Sequence, residues 1–553
     1  MASKDNKPKR MFMQVSSLPF TENKVNDSGS SNTARITLPY AENVKVDNSD
    51  TKKVINIPFA ENIKPVERDT ITSKTLPYAE NIGEKLNGDE VKSNVQFMSI
   101  PPIENKAGAD FGEPVWKKVE WGGLNLRNTI DSGELSYAKN LSTDEFPYLI
   151  PRASRGEYET GIVEPQALFA VENALMWIGN DASDNETLFY DDGSGTVKEF
   201  ILQTFSNALM VPRSIVAFED KILIFPDKKY INRDGSGSIG NIGTGTYPAD
   251  GSCPDIDYAC VYGGIGRIFG VKGNEIYANE YGKFNEWTTF EGIESDSWGV
   301  KVTSDGDFAG VALYKNHVVA FKPNFTHEQW GTRPPFRIQD IFAVGTIDNR
   351  SIKEVNGRLF FCSRDGVYIY TSGEQKHISL KLDKKYVQAR AGTDGRKYYL
   401  SMYDGSVWDL FVYDTWFDLW TREDDLNVID FAYWKNYLYA LTFDGKILKF
   451  NSGTETVEWE AITEYFAGDI INKYVHEIKL RFDIANGSTM AIAIQYDNGS
   501  FEEVQSYIGT SNNMQTLKCS ITPKQSDRYR IKFSGTGYVK LHAMEVLMSV
   551  GGD

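Results

Sequence analysis

The chain has 553 residues, with 59 Lys+Arg against 76 Asp+Glu and a formal net charge of −17. That length corresponds to several domains, or to one large repeat domain with additions. The excess of acid excludes a protein that holds nucleic acid by neutralising phosphates. No run approaches the roughly 18–20 unbroken apolar residues of a membrane span. The stretch Met1 to Arg10 is basic but lacks the apolar core of a signal peptide, and four Cys are too few for a disulfide framework. The composition reads as a soluble chain of a reducing compartment.

Residues 1–110 hold 15 Lys+Arg and 15 Asp+Glu, so the whole −17 lies in 111–553. This first segment has no Trp and only 6 of the 71 aromatic residues, too little apolar area to offset chain entropy. It reads as an extended arm without a core of its own. It also repeats. Leu18-Pro19-Phe20-Thr21-Glu22-Asn23 returns as Leu38-Pro39-Tyr40-Ala41-Glu42-Asn43, as Ile57-Pro58-Phe59-Ala60-Glu61-Asn62 and as Leu76-Pro77-Tyr78-Ala79-Glu80-Asn81. A degenerate copy follows at Ile100-Pro101-Pro102-Ile103-Glu104-Asn105. The prolines lie 20, 19, 19 and 24 residues apart. A period near 20 also suits a solenoid. With about six positions specified per repeat, the favoured expectation is a string of short partner-binding motifs: Pro holds each extended, the apolar pair anchors it, and Glu-Asn makes the polar contacts. A 19-residue spacer reaches at most about 60–65 Å, so the copies can engage successive subunits of one partner and gain avidity.

From about residue 166 to 452 short aromatic and β-branched strands alternate with Asn-Gly and Asp-Gly turns. Units start near 166, 216, 261, 310, 353, 396 and 431, a spacing suited to four-stranded blades. The expectation is an all-β chain: a six- or seven-bladed β-propeller over 111–453, in which 111–165 adds a closing strand. After Ser452-Gly453 longer alternating strands predict a jelly-roll-like β-sandwich over 454–553.

Chemistry-bearing patterns are weak. Gly235-Ser236-Gly237-Ser238-Ile239-Gly240 matches a dinucleotide fingerprint, but no strand and helix flank it as that motif requires, so it is expected to be a loop. The five His are scattered without metal-ligand spacing, and Cys253 and Cys260 lack a second pair to complete a zinc site. The latter two are expected to be buried or a loop pair. The Ser-Asp-Gly turns lack the Thr-Trp that follows in a sialidase Asp box. No catalytic residue, cofactor or metal is predicted, and the chain is read as not an enzyme. Trp408, Trp416, Trp420 and Trp434 are expected to pack between blades rather than to stack on sugars.

Three stretches resemble bacteriophage virion β-propellers. Asn140-Leu141-Ser142-Thr143-Asp144-Glu145-Phe146-Pro147-Tyr148-Leu149-Ile150-Pro151-Arg152 is similar to their lead-in segment. Gly345 to Phe361, with Ser363-Arg364-Asp365-Gly366-Val367-Tyr368, resembles their most typical blade, and Asp527 to Gly537 resembles the end of their terminal sandwich. The resemblance covers residues 115–548 and implies a tail hub, nozzle or packaged-DNA stabilisation role in a virion assembled in the bacterial cytoplasm. Implied partners are portal, tail or capsid subunits and further copies in a ring, with DNA only as passing cargo and no membrane. An acidic wall beside that path repels phosphates within a Debye length. The repeated arm departs from the family pattern. The alternative is a receptor-binding adhesin that grips a host glycan through the propeller or the sandwich.

Overall fold

The computed structural model describes residues 115–550, apart from short breaks at 119, 128–132, 159, 205–211, 467–470 and 511–513, together with seven short strands within 22–82. The chain is all-β. Its helical content among the described residues is three single 3-10 turns, at Gly263–Ile265, Asn349–Ser351 and Leu380–Leu382.

Seven four-stranded antiparallel sheets follow one another along the described body. We number them I to VII by their first strands: Val163–Val171, Ser214–Phe218, Tyr258–Tyr262, Gly310–Tyr314, Lys353–Val355, Gln388–Thr393 and Val428–Trp434. The expected starts agree closely except in sheet VI, where residue 396 marks the second strand, Lys397–Tyr403. Tight turns join the strands. Asn356 and Gly357 both have positive φ, 49° and 71°, as a type I′ hairpin requires. Lys435 and Asn436 adopt the same left-handed region, which Lys seldom does.

Side-chain packing links the sheets in order. Sheets I and II share Met176, Leu188, Ile222 and Ile224, while sheets IV and V share Tyr314, Phe321, Phe361 and Tyr370. The remaining neighbours pack likewise, and sheet VII returns to sheet I through Trp177, Phe189, Ile429, Trp434 and Leu441. The circuit is therefore closed. Its last sheet is completed from the other end of the body: Gly156–Tyr158 pairs antiparallel with Ile447–Lys449, Gly156 opposite Lys449 and Tyr158 opposite Ile447. An open edge is thereby covered.

Two five-stranded sheets take up the C-terminal residues. One includes Thr489–Tyr496, Tyr529–Thr536 and Glu458–Thr463, and the other Lys473–Ile484 and Val539–Val550. Phe482, Ile492, Ile494, Tyr529, Phe533 and Leu541 are buried in the cluster they share. Each also receives a strand from far upstream: Leu135–Lys139 pairs with Glu458–Thr463, and Val115–Lys118 pairs with Val539–Val550. This differs from the expected division at 453, because 115–139 belongs with the C-terminal sheets. A strand of four or five residues carries too little pattern to reveal its partner.

The segment that follows Leu135–Lys139, from Asn140 to Arg155, stitches the body together. Asn140 donates its backbone N–H to Glu423 and its side-chain amide to the Glu458 carbonyl, and it accepts from Arg152 Nε at 2.8 Å. Arg152 and Arg155 reach Asp424 at 3.2 and 2.7 Å, and Arg155 also pairs with Glu423. Burial pushes the Asp424 carboxyl up, but Arg155 and Arg152 more than offset it and hold the group below its usual range.

The N-terminal unit, Met1–Pro114, contains two parallel sheets. Glu22–Val25, Ala41–Asp47, Ala60–Val66 and Ala79–Ile82 form one, and Arg35–Thr37, Val54–Asn56 and Ser73–Thr75 the other. Glu22 lies opposite Glu42, Glu42 opposite Glu61 and Glu61 opposite Glu80, so like positions stack. The expectation of separate extended peptides is corrected here: neighbouring repeats pair with one another. The segments just before Leu38, Ile57 and Leu76 supply the strands of the second sheet, so those repeats specify more than the six-residue motif.

Removing Arg155 leaves Glu423 and Asp424 buried beside a single remaining cation, Arg152. Arg155→Ala is expected to cost about 3–5 kcal/mol, read as a lower midpoint in denaturant unfolding. An unchanged midpoint would show that the network adds nothing to stability.

Candidate binding site: a polar cavity lined by the first strands

The first strands of six sheets, with residues beside those of two, surround a cavity of about 280 Å³. Leu168 to Ala170 come from sheet I, Ser214 and Ile215 from sheet II, and Asp430 to Tyr433 from sheet VII. Asn349 and Arg350 come from the 3-10 turn that leads into sheet V. Asp348 caps this turn, accepting the Arg350 N–H at 2.9 Å, and the same carboxylate takes Arg350 Nε and Nη2 at 3.1 and 2.7 Å. Burial disfavours the Arg350 charge, but Asp348 outweighs it and raises the pKa.

Arg390, from the first strand of sheet VI, donates to the Val428 carbonyl at 2.6 Å. Its Nε is buried without a partner, and burial together with nearby Arg350 pushes its pKa down to about 10. Arg213 joins sheets I and II, with Nε 2.8 Å from Asp227 and Nη2 on Glu186. Asp430 is a carboxylate in an otherwise apolar strand. It accepts the Phe431 and Leu168 backbone N–H groups at 2.8 and 3.3 Å. Burial raises its pKa, and Lys353 and Arg350 offset this only in part.

At about 30 Å³ per water, the cavity holds on the order of ten waters. It admits a small polar molecule and excludes a nucleic-acid duplex. Three cations, Arg213, Arg350 and Lys353, line it against one acid, Asp430. The acid surplus of the sequence therefore does not lie on this cavity.

The expected arm motifs are only partly within the described residues. Glu22, Asn23, Glu42, Asn43, Glu61, Asn62, Glu80 and Asn81 occupy the first parallel sheet. Leu18, Pro19, Phe20, Leu38, Pro39, Tyr40, Ile57, Pro58, Phe59, Leu76, Pro77, Tyr78, Ile100, Pro101, Glu104 and Asn105 lie outside them. Of the four clustered tryptophans, Trp420 and Trp434 are buried and Trp408 is half-buried, whereas Trp416 is 65% exposed. The expectation of core packing fails at Trp416, which sits in a turn beyond the end of its strand. Gly235 to Ile239 form a loop after the third strand of sheet II, as expected, and Gly240 opens the fourth strand. Cys253 and Cys260 are free and buried, not a pair, and burial pushes the Cys253 thiol up to about 12.

The cavity residues were missed in the sequence. The available signal was a charge inside an apolar run, Val428-Ile429-Asp430-Phe431-Ala432, since a buried charge needs partners. No protein-family profile and no curated protein matches the chain. Solved structures give slight likenesses. The computationally designed Ika8 protein has a TM-score of 0.32 at 11% identity, covering 60% of this chain and 99% of that one. An extracellular domain from B. thetaiotaomicron reaches 0.40 at 10% identity, and the match covers 73% of this chain and 64% of that one. The Neurospora crassa Pan2 WD40 domain gives 0.35 at 8% identity, with 53% and 90% covered. Likenesses this slight bear on neither activity nor partners.

A raised acid pKa means that the folded state holds the proton more tightly than the unfolded chain does. The stability of this group therefore falls as pH climbs from its ordinary 3.8 toward the raised value. Asp430→Asn is expected to melt higher than the wild type at pH 7, with the gap closing below about pH 4. A gap independent of pH would assign the effect to packing.

Proposed function

We propose that the chain is a structural component of a bacteriophage virion, a tail or neck protein. The seven sheets are the blades of a propeller, and the two five-stranded sheets form a sandwich attached to it. The observation that carries this reading is the stitching segment Asn140 to Arg155: Asn140 bonds both the Glu423 and the Glu458 carbonyls, and Arg155 anchors the segment on Glu423 and Asp424. That segment is one of the three stretches that resemble virion propellers. A protein that must transmit load within a particle needs such a joint, whereas a hinged enzyme does not.

The charge distribution supports the same reading. The cavity carries three cations against one acid, so the acid surplus of 111–553 lies elsewhere in the body, where exposed carboxylates repel passing phosphates at short range. Any DNA path runs beside the propeller, because its own cavity is too small. The N-terminal repeats attach the body to neighbouring virion subunits. Stacked at about 4.8 Å per strand, four copies lie close together and form one multi-rung contact rather than a tether between distant subunits.

Replacing Phe20, Tyr40, Phe59 and Tyr78 with Ala, one after another, is expected to lower the copy number of the protein in purified particles progressively. Quantitative mass spectrometry of the particles reads this directly. Normal incorporation of the fourfold variant would remove the attachment role. A map of the particle without this chain in the tail or neck would remove the virion assignment itself.

A further inference from the structure

Trp416 is the exception among the clustered tryptophans, and its surroundings are built rather than incidental. It lies between the third and fourth strands of sheet VI, Trp408–Asp414 and Leu419–Arg422. Asp414 is fully buried and fixes the turn, accepting the Trp416 N–H at 2.9 Å, Thr143 Oγ1 at 2.6 Å and the Arg396 guanidinium. Arg396 covers one face of the indole, 4.2 Å from the ring centre. Phe417 stacks on Phe146 with centroids 4.4 Å apart and remains 37% exposed. The indole is thus covered on one face by Arg396 yet left largely in water, an unfavourable arrangement for a side chain with that much apolar area.

Planar polar groups surround the turn. Arg358 Nη2 donates to the Thr415 carbonyl at 3.1 Å, and its Nη1 lies 3.7 Å from Asp418. Asn356 donates to Thr415 Oγ1 at 3.4 Å, and Asp418, itself exposed, accepts the Tyr413 hydroxyl at 2.8 Å. A flat aromatic face on a turn bordered by an amide, a guanidinium and a carboxylate matches a ring that is apolar on its faces and hydroxylated at its rim. We propose that the Trp416 platform binds a neutral β-linked oligosaccharide of gluco configuration. A pyranose with equatorial hydroxyls lays its C–H face on the open side of the indole, while Asp418, Asn356 and Arg358 take the hydroxyls. The local Arg358–Asp418 pair leaves no preferred sign of charge, and the overall −17 disfavours acidic polysaccharides. This inference is independent of the virion assignment, since sugar binding by the purified chain stands whether or not the chain is built into a particle.

The test uses the full chain and ligand-observed NMR, with cellotetraose and chitotetraose as probes and α-linked maltotetraose as the curved comparison. The wild type is expected to bind at least one β-linked probe at millimolar sugar and to prefer it over maltotetraose. Trp416→Ala is expected to lower affinity by roughly tenfold or more, the range of a lost aromatic stack, and Trp416→Phe to retain part of it. The unfolding midpoint of both variants is expected to stay at the wild-type value, because the side chain is exposed. Failure of both β-linked probes to bind overturns the proposal, as does unchanged binding by Trp416→Ala. If instead Trp416→Ala alters sedimentation of the chain without any sugar binding, the platform is a protein contact and the proposal also falls.

Discussion

The body depends on the pairing of Gly156–Tyr158 with Ile447–Lys449. Without it sheet VII has three strands and an open edge, and the circuit is left to close by side-chain packing on sheet I. The pairing is short, so neighbouring charges reinforce it: Arg155 precedes the strand and pairs with Glu423 and Asp424. Arg155 thus secures the closure of the circuit, while its neighbour Arg152 orients Asn140, whose amide reaches the Glu458 carbonyl in the C-terminal sheets. The arrangement explains why charged side chains are tolerated where burial penalises them, since each has a geometrically fixed partner.

Buried polar groups recur wherever sheets meet. Tyr370 stands between His317 at 2.8 Å and the Glu328 carboxylate, with Trp330 stacked on the imidazole at 4.1 Å. Lys322 is buried and donates to the Val302 and Ser304 carbonyls at 3.2 and 2.6 Å. Such contacts fix the angle between sheets that apolar packing alone would leave adjustable. The cost of burial is visible at Asp430 and Arg390, where compensation is incomplete.

Much of the body was legible in the sequence because its signals are local. Asn356-Gly357 specified a hairpin by its dihedral demands, and the alternation in Tyr529-Arg530-Ile531-Lys532-Phe533 specified a half-buried strand, as its alternating burial shows. Non-local facts were not legible. Nothing in Leu135-Ser136-Tyr137-Ala138-Lys139 announces a partner at Glu458–Thr463, more than three hundred residues on. In the N-terminal unit the repeat was seen but its stacking was discounted, because Arg35–Thr37 and its counterparts differ in sequence while sharing one register. Trp416 and Trp420 look alike in the sequence, and only the turn fixed by Asp414 turns one outward.

The interleaving of both ends of the body also sets when it can form. Residues 115–158 leave the ribosome early, yet their sheet partners are made only once residues 447–550 have emerged. At roughly 5–20 residues per second, that wait lasts tens of seconds, during which the early strands have unpaired backbone. Sheets I to VI can assemble during synthesis, because each is contiguous in the chain. Final assembly is therefore a late, long-range step, slow by its loop-closure entropy and exposed to aggregation until completed. A chain cut short before its last strands loses partners at its beginning as well as at its end.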